Sequence, residues 1–360
     1  MDDILSTCRS LRHLSVVTNR AIQYNITNDD ANNSEATAPL AKATDYYYEL
    51  RTFAIRYRGE TLNRILQDII RRSPKLRAFG TNNGCHSRKT LQHLDQFCPR
   101  LKILYITPEP QDKIKLDDIN NDEDADQNDE DGISNSNSGL GTLGVDRMVV
   151  FEPSDLMPFF QKSQNTLQTI ELELGDPQRM KLQDWAPLAT MGLFPNVKRL
   201  FYSSNDRSGS TDTIAVPLLQ RLSALETVEF EYIGHINSRV IDTLTALTRL
   251  RSLSIRNSDM NHGIRSFFEH HAGLNDVSTL KEVSLIYAHP LTDTLLNALA
   301  DITTLNKINI RGSSEGVTKQ GVKAFIRKYA SRSNVANLSL SQLKHVPFVE
   351  VKEMLNTYKN

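Results

Sequence analysis

The feature that most constrains this chain is a short apolar frame that recurs along it. An apolar residue is followed by others three and five positions later, as in Leu250-Arg251-Ser252-Leu253-Ser254-Ile255. The frame returns at Leu225, Val228 and Phe230, at Leu280, Val283 and Leu285, and at Leu305, Ile308 and Ile310, with 25 to 30 residues between copies. A strand-sized pattern at that period marks stacked units, each too small to bury its own apolar face. The chain is therefore expected to add unit on unit, and its 360 residues do not count domains.

Between the strand frames lie amphipathic helical stretches. Leu62, Ile65, Leu66 and Ile69 share one helical face, and Leu91, Leu94 and Phe97 repeat the layout. Leu291 to Ala300 begins with Thr292 or Asp293 as cap, and Val317 to Ile326 is built alike. Pro347 opens a last helix over 347–359, with Phe348, Val351, Leu355 and Tyr358 on one side to cover the end of the stack. Strands are expected to begin near Leu167, Val197, Leu225, Leu250, Leu280, Leu305 and Val335, after four earlier units.

Two segments break the period and divide the chain into 1–108, 109–146 and 147–360. Residues 19–44 are rich in Asn, Asp, Ala and Thr and read as a polar loop within the first part. Residues 116–131 carry nine acidic side chains and no Lys or Arg, so 109–146 reads as an acidic disordered insertion. The rest of the chain holds 42 basic against 34 acidic residues, a mildly basic body that suits an acidic partner. Gly139-Leu140-Gly141-Thr142-Leu143-Gly144 spells the dinucleotide-binding glycine pattern, but an acidic tract precedes it where a strand is required. A flexible hinge is the expected reading.

The repeats resemble the cysteine-containing leucine-rich repeats of F-box proteins. The resemblance is carried by the turn Cys98-Pro99-Arg100-Leu101, its variant at Ser73 to Leu76, the strand Leu250 to Ile255 and the helix start at Leu291 to Asp293. It implies an α/β leucine-rich-repeat solenoid of about eleven repeats, a horseshoe with a concave parallel sheet and convex helices. It further implies a protein-binding module, the substrate-recognising part of a ubiquitin ligase, with a free-standing scaffold as the alternative. A Skp-type adaptor and a cullin are expected partners only if an F-box lies upstream, because none is visible in the sequence. The asparagine or cysteine ladder of regular repeats is replaced by Ser258, Ala288 and Ser313.

Nothing in the sequence assembles a catalytic or metal site, so neither enzyme activity nor a cofactor or metal is expected. Three cysteines, among them Cys8 and Cys98 at equivalent turns, match no metal spacing and read as buried thiols. Glu269-His270-His271 lacks a helical histidine pair and reads as a solvated face, and Trp185 as a junction filler. No apolar run approaches the roughly 18 to 20 residues of a membrane span, and Met1-Asp2-Asp3 begins no signal peptide. A cytoplasmic or nuclear protein with no membrane or nucleic-acid partner is expected.

Function should then lie on the strand positions that alternate out of the core. Those are Tyr105; Glu171 and Glu173; Arg199 and Phe201; Glu229 and Glu231; Arg256; Lys307 and Arg311. Tyr105, Arg199 and Phe201 are interface-anchoring types, with local cover as the bland alternative for each. Glu171, Glu173, Glu229 and Glu231 against Arg256, Lys307 and Arg311 would place opposite charges on successive arcs of one surface.

Overall fold

The computed structural model describes residues 11–17, 47–56, 63–81, 88–106, 139–145, 153–174, 187, 191–204, 212–260, 263–312, 316–330 and 337–359. The expectations for 19–44, the acidic run 116–131, Cys8 and Trp185 lie outside these residues. The chain divides into two compact units, residues 1–144 with 148–151 and residues 145–147 with 152–360.

The first unit contains β1 (His13–Val17), β2 (Thr52–Arg56), α1 (Asn63–Arg71), β3 (Ala78–Thr81), α2 (Arg88–Phe97), β4 (Ile103–Ile106) and β5 (Thr142–Val145). Its strands follow chain order, and β1 through β4 pair in parallel with Phe53, Phe79 and Leu104 in register. At each strand entrance two amides converge on one carbonyl of the preceding repeat. Arg77 and Ala78 do so on Arg51 O at 2.8 and 3.0 Å. The turn between α2 and β4 buries Cys98, whose thiol donates to the carbonyls of Ile70 and Ser73 at 3.7 and 3.6 Å, as a structural cysteine should.

β5 corrects the hinge expectation. Leu140, Leu143 and Val145 are buried at the spacing of the recurrent frame, and Gly141 and Thr142 donate to Lys102 O at 2.7 and 3.0 Å. The glycine-rich stretch is thus a strand, so residues 139–145 do not belong to a disordered insertion; 107–138 lie outside the described residues. Interrupting glycines weaken a strand but do not forbid one when neighbouring side chains fill the space.

The second unit runs α3 (Pro153–Lys162), β6 (Thr169–Leu174), β7 (Arg199–Ser204), α4 (Asp212–Leu219), β8 (Thr227–Glu231), α5 (Ser238–Thr245) and β9 (Ser252–Arg256). It continues with α6 (Gly263–Gly273), β10 (Glu282–Ile286), α7 (Asp293–Asp301), β11 (Lys307–Arg311), α8 (Lys319–Ala330), β12 (Asn337–Ser341) and α9 (Phe348–Lys359). Every neighbouring pair from β6 to β12 is parallel, with Leu200, Val228, Leu253, Val283 and Ile308 in one row and Tyr202, Phe230, Ile255, Leu285 and Ile310 in the next. These rows are fully buried or nearly so, and each such side chain contributes roughly 1.5–3 kcal/mol relative to exposure. The architecture is an α/β leucine-rich-repeat solenoid, as the period requires.

Helix starts follow the polar residue before each apolar face. Asn237 accepts the Val240 amide at 3.1 Å and Thr292 the Leu295 amide at 3.2 Å. Asp293, the other candidate cap, instead reaches the next repeat and accepts the amide and hydroxyl of Thr318 at 2.9 and 2.6 Å. Two expectations fail on the helices. His271 is buried, not solvated, because the extended α6 turns it inward beside Phe267, with ring centroids 4.6 Å apart; Glu269 and His270 are exposed. In α9 Val351 is buried while Phe348 is 63 % exposed, so the first turn does not cover the stack.

Candidate protein-binding surface

Parallel register assembles the outward residues of the second unit into three rows. One runs Thr169, Arg199, Thr227, Ser252, Glu282, Lys307 and Asn337. The middle row begins Glu171, Phe201, Glu229, Ser254 and Ser284, and the third begins Glu173, Ser203, Glu231, Arg256, Ile286 and Arg311. From β8 to β10 the strands alternate between fully buried and half-buried residues, so this face has one solvent-facing side. Arg199 is exposed, and Phe201 is half-buried between the register positions of Glu171 and Glu229.

Tyr105 does not belong to this set. It is 7 % exposed and clusters with Ala54, Ala78 and Ile103 on the outward side of β2–β4, where β3 and β4 are buried at every residue. A Cβ placed on Gly144 would fall 2.2 Å from Tyr105 Cδ1, so the ring lies directly over that glycine. The bland alternative, cover against a neighbouring strand, is what the structure shows. A strand covered on both faces reads as a continuous apolar run, and Ile103-Leu104-Tyr105-Ile106 has that form while Ser252-Leu253-Ser254-Ile255 alternates.

The acidic residues Glu171, Glu173, Glu229 and Glu231 stand on β6 and β8 and the basic Arg256, Lys307 and Arg311 on β9 and β11, with ion pairs between neighbouring strands. Arg256 Nε lies 3.0 Å from Glu229 Oε1, and Lys307 Nζ lies 3.2 Å from Glu282 Oε2. Cross-strand pairing brings opposite charges within reach on adjacent strands, so the basic residues are partly neutralised where they stand. Arg311 differs: its Nε donates to Gln342 Oε1 at 3.0 Å and its guanidinium lies 5.5 Å from the Tyr287 ring centroid.

The rim at the carboxyl ends of these strands carries residues the alternation argument passes over. Tyr232, Asn257, Tyr287, Gly312 and Gln342 occupy one repeat position and all have positive φ, between 47° and 56° for the four that are not glycine. Their amides form a ladder, with Tyr232 donating to Arg256 O and Asn257 to Ile286 O at 3.0 and 2.8 Å. Tyr232 and Tyr287 are 45 % and 36 % exposed. A left-handed conformation is unusual for a bulky residue, so the aromatic side chain is not there for the backbone's sake. The signal in the sequence was the recurrence of Tyr at Tyr232 and Tyr287, directly after the strand frame.

Ser258 performs the ladder function in its repeat. It is buried, accepts the Ile233 amide at 3.0 Å and donates to Arg256 O at 2.6 Å, joining adjacent units. Ala288 offers no such group, and there the His289 amide donates to Ser258 O at 3.0 Å. Ser313 lies outside the described residues.

Among the described residues no group of three or more His, Cys, Asp or Glu side chains could hold a metal ion, and no helix is long and apolar enough to cross a membrane. No family model matches the chain, and no curated protein sequence matches it. Solved structures do. A chain in the crystal structure of the Rad7 and Elc1 complex in yeast is similar at 13 % identity and TM-score 0.44, covering 83 % of this chain and 73 % of that one. A chain in the crystal structure of a TLR13–ssRNA13 complex is similar at 12 % identity and TM-score 0.40, covering 73 % of this chain and 33 % of that one. This chain thus spans about a third of the latter's length. The chain's own register defines the fold: seven parallel strands in the second unit, each repeating the same apolar rows.

Proposed function

We propose that the chain is a protein-binding leucine-rich-repeat module whose partner docks on the outward face of β6–β12. The observation behind this reading is the exposed Arg199 beside the half-buried Phe201 on a face whose alternate positions stay open to solvent. Aromatic and arginine side chains supply most of the energy in protein interfaces, and a rigid strand fixes them at little entropic cost. Carboxylates at Glu171, Glu173, Glu229 and Glu231 on the same face would repel a phosphate backbone, which favours protein over nucleic acid.

At a finer level the module holds a substrate for a ubiquitin ligase in the cytoplasm or nucleus. What supports this is the resemblance of its turns and strands to the repeats of F-box proteins, including the buried Cys98 turn. Its contribution would be affinity and positioning, with the transfer chemistry done by recruited enzymes. Affinity capture with the full tagged chain tests both levels. The reading predicts a protein partner whose recovery falls about tenfold or more in Phe201→Ala with Arg199→Ala, together with a Skp-type adaptor and a cullin. A partner recovered with neither adaptor nor cullin would make the chain a free-standing scaffold.

A further inference from the structure

We propose that Arg311, Tyr287 and Gln342 form a carboxylate-binding corner of this surface, which receives an aspartate or glutamate side chain of the partner protein. The inference rests on the protein-binding reading and gives it a specific chemistry. Register brings the three together: Ile286, Arg311 and Ser341 are aligned on β10, β11 and β12, so the residues that follow them, Tyr287, Gly312 and Gln342, share one rim. All three have positive φ, which turns the rim away from the strand direction.

Two contacts fix the guanidinium. Its Nε donates to Gln342 Oε1 at 3.0 Å, and one face of it lies over the Tyr287 ring, 5.5 Å from the centroid. The Tyr287 hydroxyl donates to the same Gln342 oxygen, so ring and amide are locked to each other as well. Gly312 leaves room for the ring, since a Cβ there would stand 3.3 Å from Tyr287 Cδ1 and 3.1 Å from its Cα. Asn257 meets the same backbone requirement without an aromatic ring, so tyrosine at 287 supplies something the backbone does not need.

The consequence is a guanidinium held at Nε and on one face, whose two terminal nitrogens meet no carboxylate among the described residues. That paired N–H edge matches a carboxylate in bidentate geometry, and a fork already oriented loses little freedom on binding. Arg256 and Lys307, which share this face with Arg199 and Arg311, are engaged by Glu229 and Glu282. The half-buried Ile286, aligned with Arg311, offers the stem of an acidic side chain an apolar seat.

The test is side-chain nitrogen NMR of the full chain, following Arg311 Nε–Hε during titration with a capped hexaglutamate peptide. A saturable shift is expected. Arg311→Lys, which keeps the charge and loses the fork, is followed at the backbone amides of Gly312 and Gln342 and should bind about tenfold more weakly. Tyr287→Leu should weaken binding about three- to tenfold, and Arg265→Gln on the exposed side of α6, away from the rim, should leave it unchanged. No saturable shift, an Arg311→Lys variant as tight as the parent, or tighter binding of a hexauridylate than of hexaglutamate would each overturn the inference. If the captured partner still depends on Phe201 while hexaglutamate does not bind, this inference falls and the protein-binding reading stands.

Discussion

Arg256 at the end of β9 places its Nε 3.0 Å from Oε1 of Glu229 in the middle of β8, so a cation and a carboxylate from different repeats meet on the open face. Both side chains are partly exposed, and the pair should contribute about 0.2–1 kcal/mol. A double-mutant cycle with Arg256→Gln and Glu229→Gln in urea should return a coupling in that range. The coupling should shrink in 1 M salt. A coupling that survives high salt would mean the pair is not screened as its exposure requires.

The contact of Tyr105 with Gly144 is steric. Gly144→Ala drives a methyl group into the buried ring and should cost about 1–3 kcal/mol. Tyr105→Ala alone removes a buried ring, yet combined with Gly144→Ala it should restore part of the loss. Equilibrium unfolding of the two single variants and the double variant checks this. Strict additivity would show that the ring does not rest on residue 144.

These two relationships mark how much the sequence disclosed. The seven strands β6–β12 and the rows Leu253 and Ile255 occupy were legible because one face is buried and the frame alternates cleanly. β5 was hidden although Leu140, Leu143 and Val145 carry the same spacing, because Gly139, Gly141 and Gly144 resemble a linker when read alone. Tyr105 was misplaced because alternation predicts which side a residue faces, not whether that side is covered. Ion pairs such as Arg256 with Glu229 join residues 27 positions apart, and only the register decides that they meet.

Ser258 bridges two repeats through one hydroxyl. Ser258→Ala leaves the buried Ile233 amide without its acceptor and should destabilise the chain by about 1–3 kcal/mol. Amide exchange at Ile233 should quicken more than exchange at Val228 in the same repeat. Unchanged protection at Ile233 would show that another acceptor replaces the hydroxyl.

His271 predicts acid sensitivity. Burial, with His270 beside it, pushes its pKa down from 6.5 to about 4. Its Nδ1 lies 3.0 Å from Ser278 Oγ and its Nε2 is buried without a partner, so a proton added to the ring would find no acceptor. The unfolded chain therefore takes up this proton first as pH falls: the contribution is intact above pH 6.5 and is lost progressively between 6.5 and 4. At pH 4.5 the loss from this group should be about 2–3 kcal/mol relative to pH 7.5. Urea midpoints at the two pH values should differ less in His271→Phe than in the parent. An identical pH dependence in the two proteins would refute the assignment.

The central claim is that a protein partner lies on the outward face of β6–β12. Hydroxyl-radical footprinting of the full chain, alone and bound to its captured partner, tests it most directly. Phe201 and Tyr287 should lose reactivity on binding while Phe348, exposed on α9, keeps its own. Protection of Phe348 with Phe201 and Tyr287 unchanged would contradict the account.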